Sequence, residues 1–258
     1  MEPREMKPRL EAFLLPIFVA MFLIGVWHYA VVKSGSVIFP TPVQVIFGIV
    51  ELFRHGVLLK YMVASLFRVA VGFSLAIFIG IPTGLLLGWF RLAFQAFNPI
   101  IQLLRPISPI AWIHLDILWF GISDLAPIFL IFLASVFPTM TSTMAAVQSL
   151  SPIYVRAASN FGVKGFALFR KVIFPAALPQ IISGIRIALG IAWLVVVAAE
   201  MIAVDSGLGY LIIDARNAGK RYDLVVAGMV LIGITGLILD LCVRRLEHLD
   251  EVRWGFGK

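Results

Sequence analysis

Residues 154–179 read YVRAASNFGVKGFALFRKVIFPAALP and lie between two long apolar runs. The stretch carries four basic side chains, Arg156, Lys164, Arg170 and Lys171. It is therefore too polar to cross a bilayer, yet its alanines favour a helix and Gly162 can take the left-handed conformation that ends one. A second helix over 166–173 would stop at Pro175, with Pro179 in the first turn of the next helix. The pattern predicts an ordered helix, turn, helix elbow at a membrane surface.

The composition is typical of an integral membrane protein. Of the 258 residues, 61% are hydrophobic and only 14% are charged, whereas soluble domains have about 25% charged residues. The net charge of +7 comes from basic residues scattered at the ends of apolar runs. This distribution argues against a nucleic-acid partner and for membrane lipid. The single cysteine, Cys242, excludes an intramolecular disulfide, and we expect no metal site.

Six apolar runs are long enough to cross about 30 Å of hydrocarbon. They cover residues 13–32, 63–90, 94–120, 125–147, 180–204 and 224–243. We therefore expect an all-α integral membrane protein with one transmembrane domain over 1–258 and a cytoplasmic elbow over 148–179. With the N-terminus inside, about twelve Lys and Arg fall in cytoplasmic segments and about six outside. Both termini are then expected in the cytoplasm.

The segment after the first run has the signature of a helix start. Thr41 can cap the helix, Pro42 suits its first position, and Gln44 can complete a capping box. Gly56 is a plausible stop. The expected apolar face consists of Ile46, Ile49, Val50 and Phe53. We expect a short amphipathic helix on the outer surface that packs or anchors at the interface.

The second run has a small residue at every fourth position, which lets helix backbones approach closely in lipid. The stripe consists of Gly72, Ala76, Gly80, Gly84 and Gly88. We expect it to pack against another helix, with Gly80, Gly84 and Gly88 as the main packing positions. Arg68, near the outer end, is expected to extend to the membrane interface.

The third run contains groups that an undisturbed span avoids. Residues 98–121 read NPIIQLLRPISPIAWIHLDILWFG and include three prolines and three ionisable side chains. Broken backbone and charge at membrane depth are tolerated where they are buried in protein or line a cavity. With Glu200 of the fifth run, this segment is our candidate translocation path. The candidate residues are Arg105, Ser108, Trp112, His114, Asp116 and Glu200.

Other uses of these charges remain open at this point. His114 and Asp116 could pair with each other, and Glu200, which needs a partner in hydrocarbon, could pair with Arg105. Arg186, near the inner end of the fifth run, could extend to the cytoplasm.

The elbow resembles the signature of the membrane subunits of binding-protein-dependent ABC importers. That signature is Glu-Ala-Ala, three residues, Gly, about nine residues, then Ile-any-Leu-Pro. Here it becomes 156–158, Gly162 and 172–175, with Arg156 at the Glu position. The resemblance implies a type I importer transmembrane domain that works as a dimer and docks its elbow on an ATPase. The implied docking residues are Arg156, Ala157, Ala158, Gly162, Val163, Lys164 and Pro175.

The third run resembles a narrower group, the permeases for nitrate, sulfonates, taurine and bicarbonate. The shared pattern is Arg-Pro, Pro, Ala-Trp and Leu-Trp-Phe-Gly, found here at 105–106, 109, 111–112 and 118–121. The resemblance implies import of a small anion across a bacterial inner membrane. It also implies a second copy of the chain, ATPase subunits and a periplasmic or lipid-anchored binding protein as partners.

The chain has no Gly-x-x-x-x-Gly-Lys-Ser/Thr loop to cradle phosphates, so we expect it not to be an enzyme and to bind no cofactor itself. ATP and Mg²⁺ would then be bound by the partner ATPase. The alternative is a self-sufficient secondary transporter or channel, which intramembrane charges could support. An inverted repeat would favour that alternative, and none is evident.

Overall fold

The protein is mainly helical over the residues that the computed structural model describes, 7–35 and 38–245. These residues form eleven α-helices and no strand. The helices are α1 (Lys7–Ser34), α2 (Pro42–Arg54), α3 (Val57–Trp89), α4 (Arg91–Leu104), α5 (Ile113–Phe120), α6 (Leu125–Gln148), α7 (Pro152–Asn160), α8 (Gly165–Leu168), α9 (Phe174–Ala203), α10 (Leu208–Gly219) and α11 (Tyr222–Arg244). A 3₁₀ turn, Pro109–Trp112, precedes α5, and a π turn, Phe169–Ile173, follows α8. The predicted all-α architecture is confirmed. The chain ends that we expect in the cytoplasm lie largely outside the described residues.

Within the described residues, five helical stretches are long and apolar enough to cross a membrane. They are Leu14–Ser34, Val57–Trp89, Leu125–Gln148, Gly165–Ala203 and Tyr222–Arg244. The run predicted at 94–120 is instead divided into α4 and a shorter apolar segment, Pro109–Phe120. The division falls at Pro106 and Pro109, where the backbone lacks donors. The prolines thus break the run where the sequence indicated.

The chain forms two compact units. The first comprises Met1–Leu59 and Leu211–Val230, and the second comprises Lys60–Tyr210 and Leu231–Lys258.

In the first unit, α2 begins and ends as its sequence predicts. The Thr41 hydroxyl accepts from the backbone N–H of Gln44 at 3.3 Å, and the Gln44 side chain accepts from the Thr41 N–H at 2.7 Å. Gly56 follows the helix with a φ of +70°. The capping box and the glycine stop are therefore confirmed.

The buried side of α2 differs from its large apolar face. Val45, Gly48 and Leu52 are buried, whereas Ile46 and Phe53 are about 60% exposed. A Cβ at Gly48 would lie 3.1 Å from Leu224 Cδ2, so the glycine permits the close approach.

Arg221 reinforces the buried side of α2 with ion pairs to Glu51 and Asp223, at 2.7 and 2.8 Å. Its hydrogen bonds hold the pKa of Glu51 below the ordinary value. Because the buried side of α2 is the one that carries Val45, Gly48 and Leu52, the predicted apolar face points outward, as an interfacial helix requires.

The second unit is built on α6, which packs against both α3 and α9. A Cβ at Gly84 would lie 2.5 Å from the Met140 carbonyl oxygen. Gly72, Gly80 and Gly88 make similarly close approaches along α6, and Ala76 is fully buried. On α9, Gly184 lies directly against Ser142 of α6. The small-residue stripe thus lies in the close contact between α3 and α6.

The prediction that the second helix of the elbow stops at Pro175 is wrong. The π turn continues directly into α9, and Pro179 lies inside that helix. In the π turn the Phe174 N–H donates to the Phe169 carbonyl, five residues back. This wider turn accommodates the proline that follows it, as π turns and prolines together do in bent helices.

The tight α3–α6 contact predicts that Gly84→Ala destabilises the protein. The added methyl would meet the Met140 carbonyl and the Thr143 side chain, so we expect a loss of about 1–3 kcal/mol in the free energy of unfolding. Thermal unfolding of the purified protein in detergent measures it. Gly25→Ala is the matched control, because a Cβ at Gly25 meets no atom within 4 Å. Equal effects of both substitutions would contradict this packing.

Candidate translocation path and coupling elbow

The break between α4 and α5 opens a cavity of about 310 Å³. Its lining includes Arg105, Pro109 and Trp112 from the break, Phe137 and Pro138 from α6, and Ile191 from α9. The backbone of the break keeps some hydrogen bonds: the Arg105 N–H donates to Ile101 O at 2.9 Å, and the Ala111 N–H donates to Ser108 O at 2.9 Å. The two prolines leave other groups of this segment without a helical partner.

The cavity is mainly apolar, with one guanidinium at its edge. Of the predicted path residues, Arg105 and Trp112 line it. Ser108 lies exposed between them in the break. An arginine offers a planar fork of donors that fits an oxyanion, and loosened backbone offers further donors or acceptors. The cavity is therefore suited to transient contact with a small anion.

The other two predicted residues of this run separate from the cavity and from each other. His114 is exposed and Asp116 is fully buried, because positions two apart on a helix face different ways. Neither Asp116 oxygen has a hydrogen-bond partner among the described residues. The proposed pairing of His114 with Asp116 is therefore wrong. Asp116 shares its helix face with Ile113, which packs in a cluster with Leu130.

A buried arginine, Arg68, lies in α3 and outside the cavity lining. Its side chain is 1% exposed and pairs with Glu200 Oε1 at 2.7 Å and with Asp124 Oδ1 at 2.6 Å. It also donates to the carbonyl oxygen and the hydroxyl of Ser206, at 2.7 and 2.6 Å. These bonds occupy all five guanidinium N–H groups. The expectation that Arg68 extends to the interface is wrong.

Glu200 completes this buried ion cluster, which we define as Ser65, Arg68, Asp124, Glu200 and Ser206. Its second oxygen accepts from the Ser65 hydroxyl at 2.9 Å and from the Gly209 N–H at 3.0 Å. The fully buried carboxylate is thus held by Arg68, and its predicted pairing with Arg105 is wrong. Glu200 also does not line the cavity.

The turn after α9 is shaped around Glu200. A Cβ at Gly207 would fall on the Glu200 carboxylate, and one at Gly209 would meet Val197 O. Gly207 also has a φ of +107°, which side chains rarely adopt. One sequence signal could have found the cluster: Arg68 precedes Gly72 by four residues and so lies on the packed face of α3.

Arg186 of α9 is paired with Asp240 of α11. Its Nε and Nη2 atoms donate to the two oxygens of Asp240 at 2.7 and 2.8 Å. A bidentate pair of this kind holds α9 and α11 in one register.

The elbow has the predicted turn at Gly162. Ser151 caps α7, and Gly162 follows its end with a φ of +76°. The Val163 N–H donates to Ala158 O and the Gly162 N–H donates to Ser159 O, both at 3.0 Å. This pair of bonds is the Schellman arrangement, which explains the glycine.

One of the residues expected on the docking face of the elbow is not on its surface. Ala158 is buried in a cluster with Leu168 and Ile173, so it supports the elbow from inside. Val163 and Pro175 are half-buried, whereas Arg156, Ala157, Gly162 and Lys164 are exposed. Phe161 and Phe166, at 87% and 77% exposure, were not among the predicted residues.

The contacts in the buried ion cluster predict that Arg68→Gln strongly lowers the free energy of unfolding. Removing the guanidinium leaves Glu200 buried without its charge partner, which costs about 3–5 kcal/mol for such pairs. Denaturation of the purified protein measures the loss. Asp124→Asn should cost under about 1 kcal/mol, because Asp124 is 58% exposed. Adding Glu200→Gln to Arg68→Gln should restore part of the stability; no restoration would contradict the pairing.

Comparison with known proteins gives a consistent set of matches. A family model described as the inner membrane component of binding-protein-dependent transport systems matches residues 76–249. A putative ABC transporter permease of Methanocaldococcus jannaschii is 37% identical, over 92% of this chain and 91% of the relative. The taurine transport system permease of Escherichia coli is 35% identical, over 89% and 86%. The nitrate import permease of Leptolyngbya laminosa is 36% identical, over 89% and 85%.

The fold also matches a solved structure of a bacterial alginate ABC transporter in complex with a periplasmic protein. The TM-score is 0.64, with 95% of this chain and 97% of that chain covered. The sequence identity of 14% means that this match concerns the fold alone.

Proposed function

The chain belongs to the family of inner membrane components of binding-protein-dependent transport systems, and from this premise we propose that it is the permease of an ATP-driven importer for a small anion. Two copies would form the path, two ATPase subunits would dock on the elbows, and a binding protein would deliver the anion. ATP and Mg²⁺ would be held by the ATPase subunits.

Our choice of substrate class rests on one observation: the Arg105 guanidinium lines the cavity in the broken run. A guanidinium beside proline-broken backbone favours oxyanions over sugars or cations. The names of the taurine and nitrate permeases concern anionic or zwitterionic oxyacids, which agrees with this choice. Selectivity would reside mainly in the binding protein, so the path holds its anion weakly.

The rival, a self-sufficient secondary transporter, loses much of its support. It drew on four intramembrane ionisable residues, one of which, Glu200, is held inside the buried ion cluster. His114 and Asp116 face different ways, so they do not form a relay pair. An ATP-dependent mechanism requires none of these groups to carry protons.

The experiment for the function is reconstitution with the ATPase subunit encoded nearest to this chain. Candidate binding proteins are added with nitrate, bicarbonate, taurine or an alkanesulfonate, and ATP hydrolysis and uptake are measured. We expect one liganded binding protein to stimulate hydrolysis several-fold and to drive uptake. Uptake by the chain without ATPase or ATP would contradict the proposal and support the secondary transporter.

A large side chain at Gly162 should prevent the ATPase subunit from binding the elbow, because Gly162 is exposed beside Phe161. We expect Gly162→Trp to insert and dimerise normally but to lose ATPase binding, as measured by co-purification. Gly162→Asn is the control, because asparagine tolerates the positive φ at this position. If both variants lose binding equally, the turn conformation and not the surface is responsible. Normal transport by Gly162→Trp would rule out docking here.

Arg105 should govern throughput rather than receptor affinity. We expect Arg105→Gln to lower uptake about tenfold or more at saturating binding protein, which corresponds to about 1.4 kcal/mol. Arg105→Lys should fall between this variant and the wild type, since it keeps the charge and loses the planar fork. The affinity of the binding protein for its anion should stay the same. Uptake by Arg105→Gln at the wild-type rate would make Arg105 structural.

A further inference from the structure

A second and larger cavity lies beside the elbow. It is a groove of about 610 Å³ between the end of α3 and the start of the chain segment that leads into α9. We define this apolar groove by Leu86, Trp89, Phe90, Phe166 and Phe169, which line it with four further residues. None of its lining side chains is charged.

One wall of the groove belongs to a candidate membrane span. It lies where two candidate spans end, one at Trp89 and the other at Gly165. Its lining also reaches back to Pro82, seven residues before Trp89, which is about 10 Å along the helix. Leu86, Trp89 and Phe90 are 40–57% exposed there. A soluble subunit does not enter hydrocarbon, so the part of the α3 wall that lies within the span would be open to lipid.

Three exposed basic residues adjoin the groove lining in the sequence. Arg91 follows Phe90, Lys164 precedes the lining residue Gly165, and Arg170 follows Phe169; all three side chains are exposed. The sequence has no Asp or Glu between Glu51 and Asp116 or between Asp124 and Glu200. No acidic neighbour in the chain segments that build the groove can therefore neutralise these charges.

We propose that the apolar groove binds one anionic phospholipid. Its acyl chain would lie along Leu86 and the aromatic side chains, and its phosphate would contact Arg91, Lys164 and Arg170. The combination of an apolar groove at the end of a candidate span and three exposed basic residues next to its lining residues fits an anionic amphiphile. Such a lipid would touch α3 and the elbow together. Lipid composition would then affect how firmly the elbow is held.

The test is native mass spectrometry of the purified full chain in detergent, with phosphatidylglycerol or phosphatidylcholine of identical acyl chains. We expect one phosphatidylglycerol to be retained at least five-fold more strongly than phosphatidylcholine. The combined variant Arg91→Gln, Lys164→Gln, Arg170→Gln should lose this preference. The matched control neutralises three exposed basic residues elsewhere, Arg54→Gln, Lys60→Gln and Arg216→Gln, and should keep it.

A second variant examines the groove without changing charge. Leu86 is 49% exposed, so Leu86→Trp can fill the groove without entering the core, and it should reduce phosphatidylglycerol retention at least three-fold. Equal retention of both lipids would overturn the proposal, as would binding of glycerol phosphate as strong as that of the lipid. Loss of the bound lipid on addition of the ATPase subunit would also overturn it, because the groove would then belong to the protein interface.

Discussion

The structure of the second unit depends on one buried charge, the guanidinium of Arg68. A charge at this depth is tolerated only when it is paired and its donors are used, and all five of its N–H groups are bonded. Through Asp124, Glu200 and Ser206, Arg68 joins α3 to the residue before α6, to α9 and to the turn before α10. One side chain thus aligns the helices of the unit at one end.

Away from Arg68, the helices of the second unit pack along α6. The glycine stripe of α3 packs on one side of α6, and Gly184 of α9 packs against Ser142. The broken run cannot pack as a regular helix, so it leaves a cavity against α6 and α9. The elbow continues through the π turn into α9, a helix that also contributes Ile191 to the cavity. In the function that we propose, a displacement of the elbow would reach the cavity through this continuous helix.

Local patterns in the sequence predicted much of this arrangement. The α2 cap, the Gly162 turn, the small-residue stripe and the proline break depend on neighbours within a few residues, so their physics is visible in the sequence. The side-chain partners of Arg68, Arg186 and Glu200 are 54 to 138 residues away, and no local rule selects among them. The burial of Ala158 depends on packing, and the continuation of the helix through Pro175 depends on a π turn. The sequence signals neither of them.

If the chain is the permease of an ATP-driven importer, as we propose, ATP binding should switch the side of the membrane from which the broken run is reached. In a Cys242→Ser background, Ser108→Cys places one thiol in the break. Its rate of labelling by an impermeant maleimide is measured from each side of a proteoliposome membrane that contains the permease and its ATPase. We predict that a non-hydrolysable ATP analogue raises labelling from the side opposite the ATPase and lowers it from the ATPase side. Equal labelling rates with and without the nucleotide, on both sides, would contradict the account.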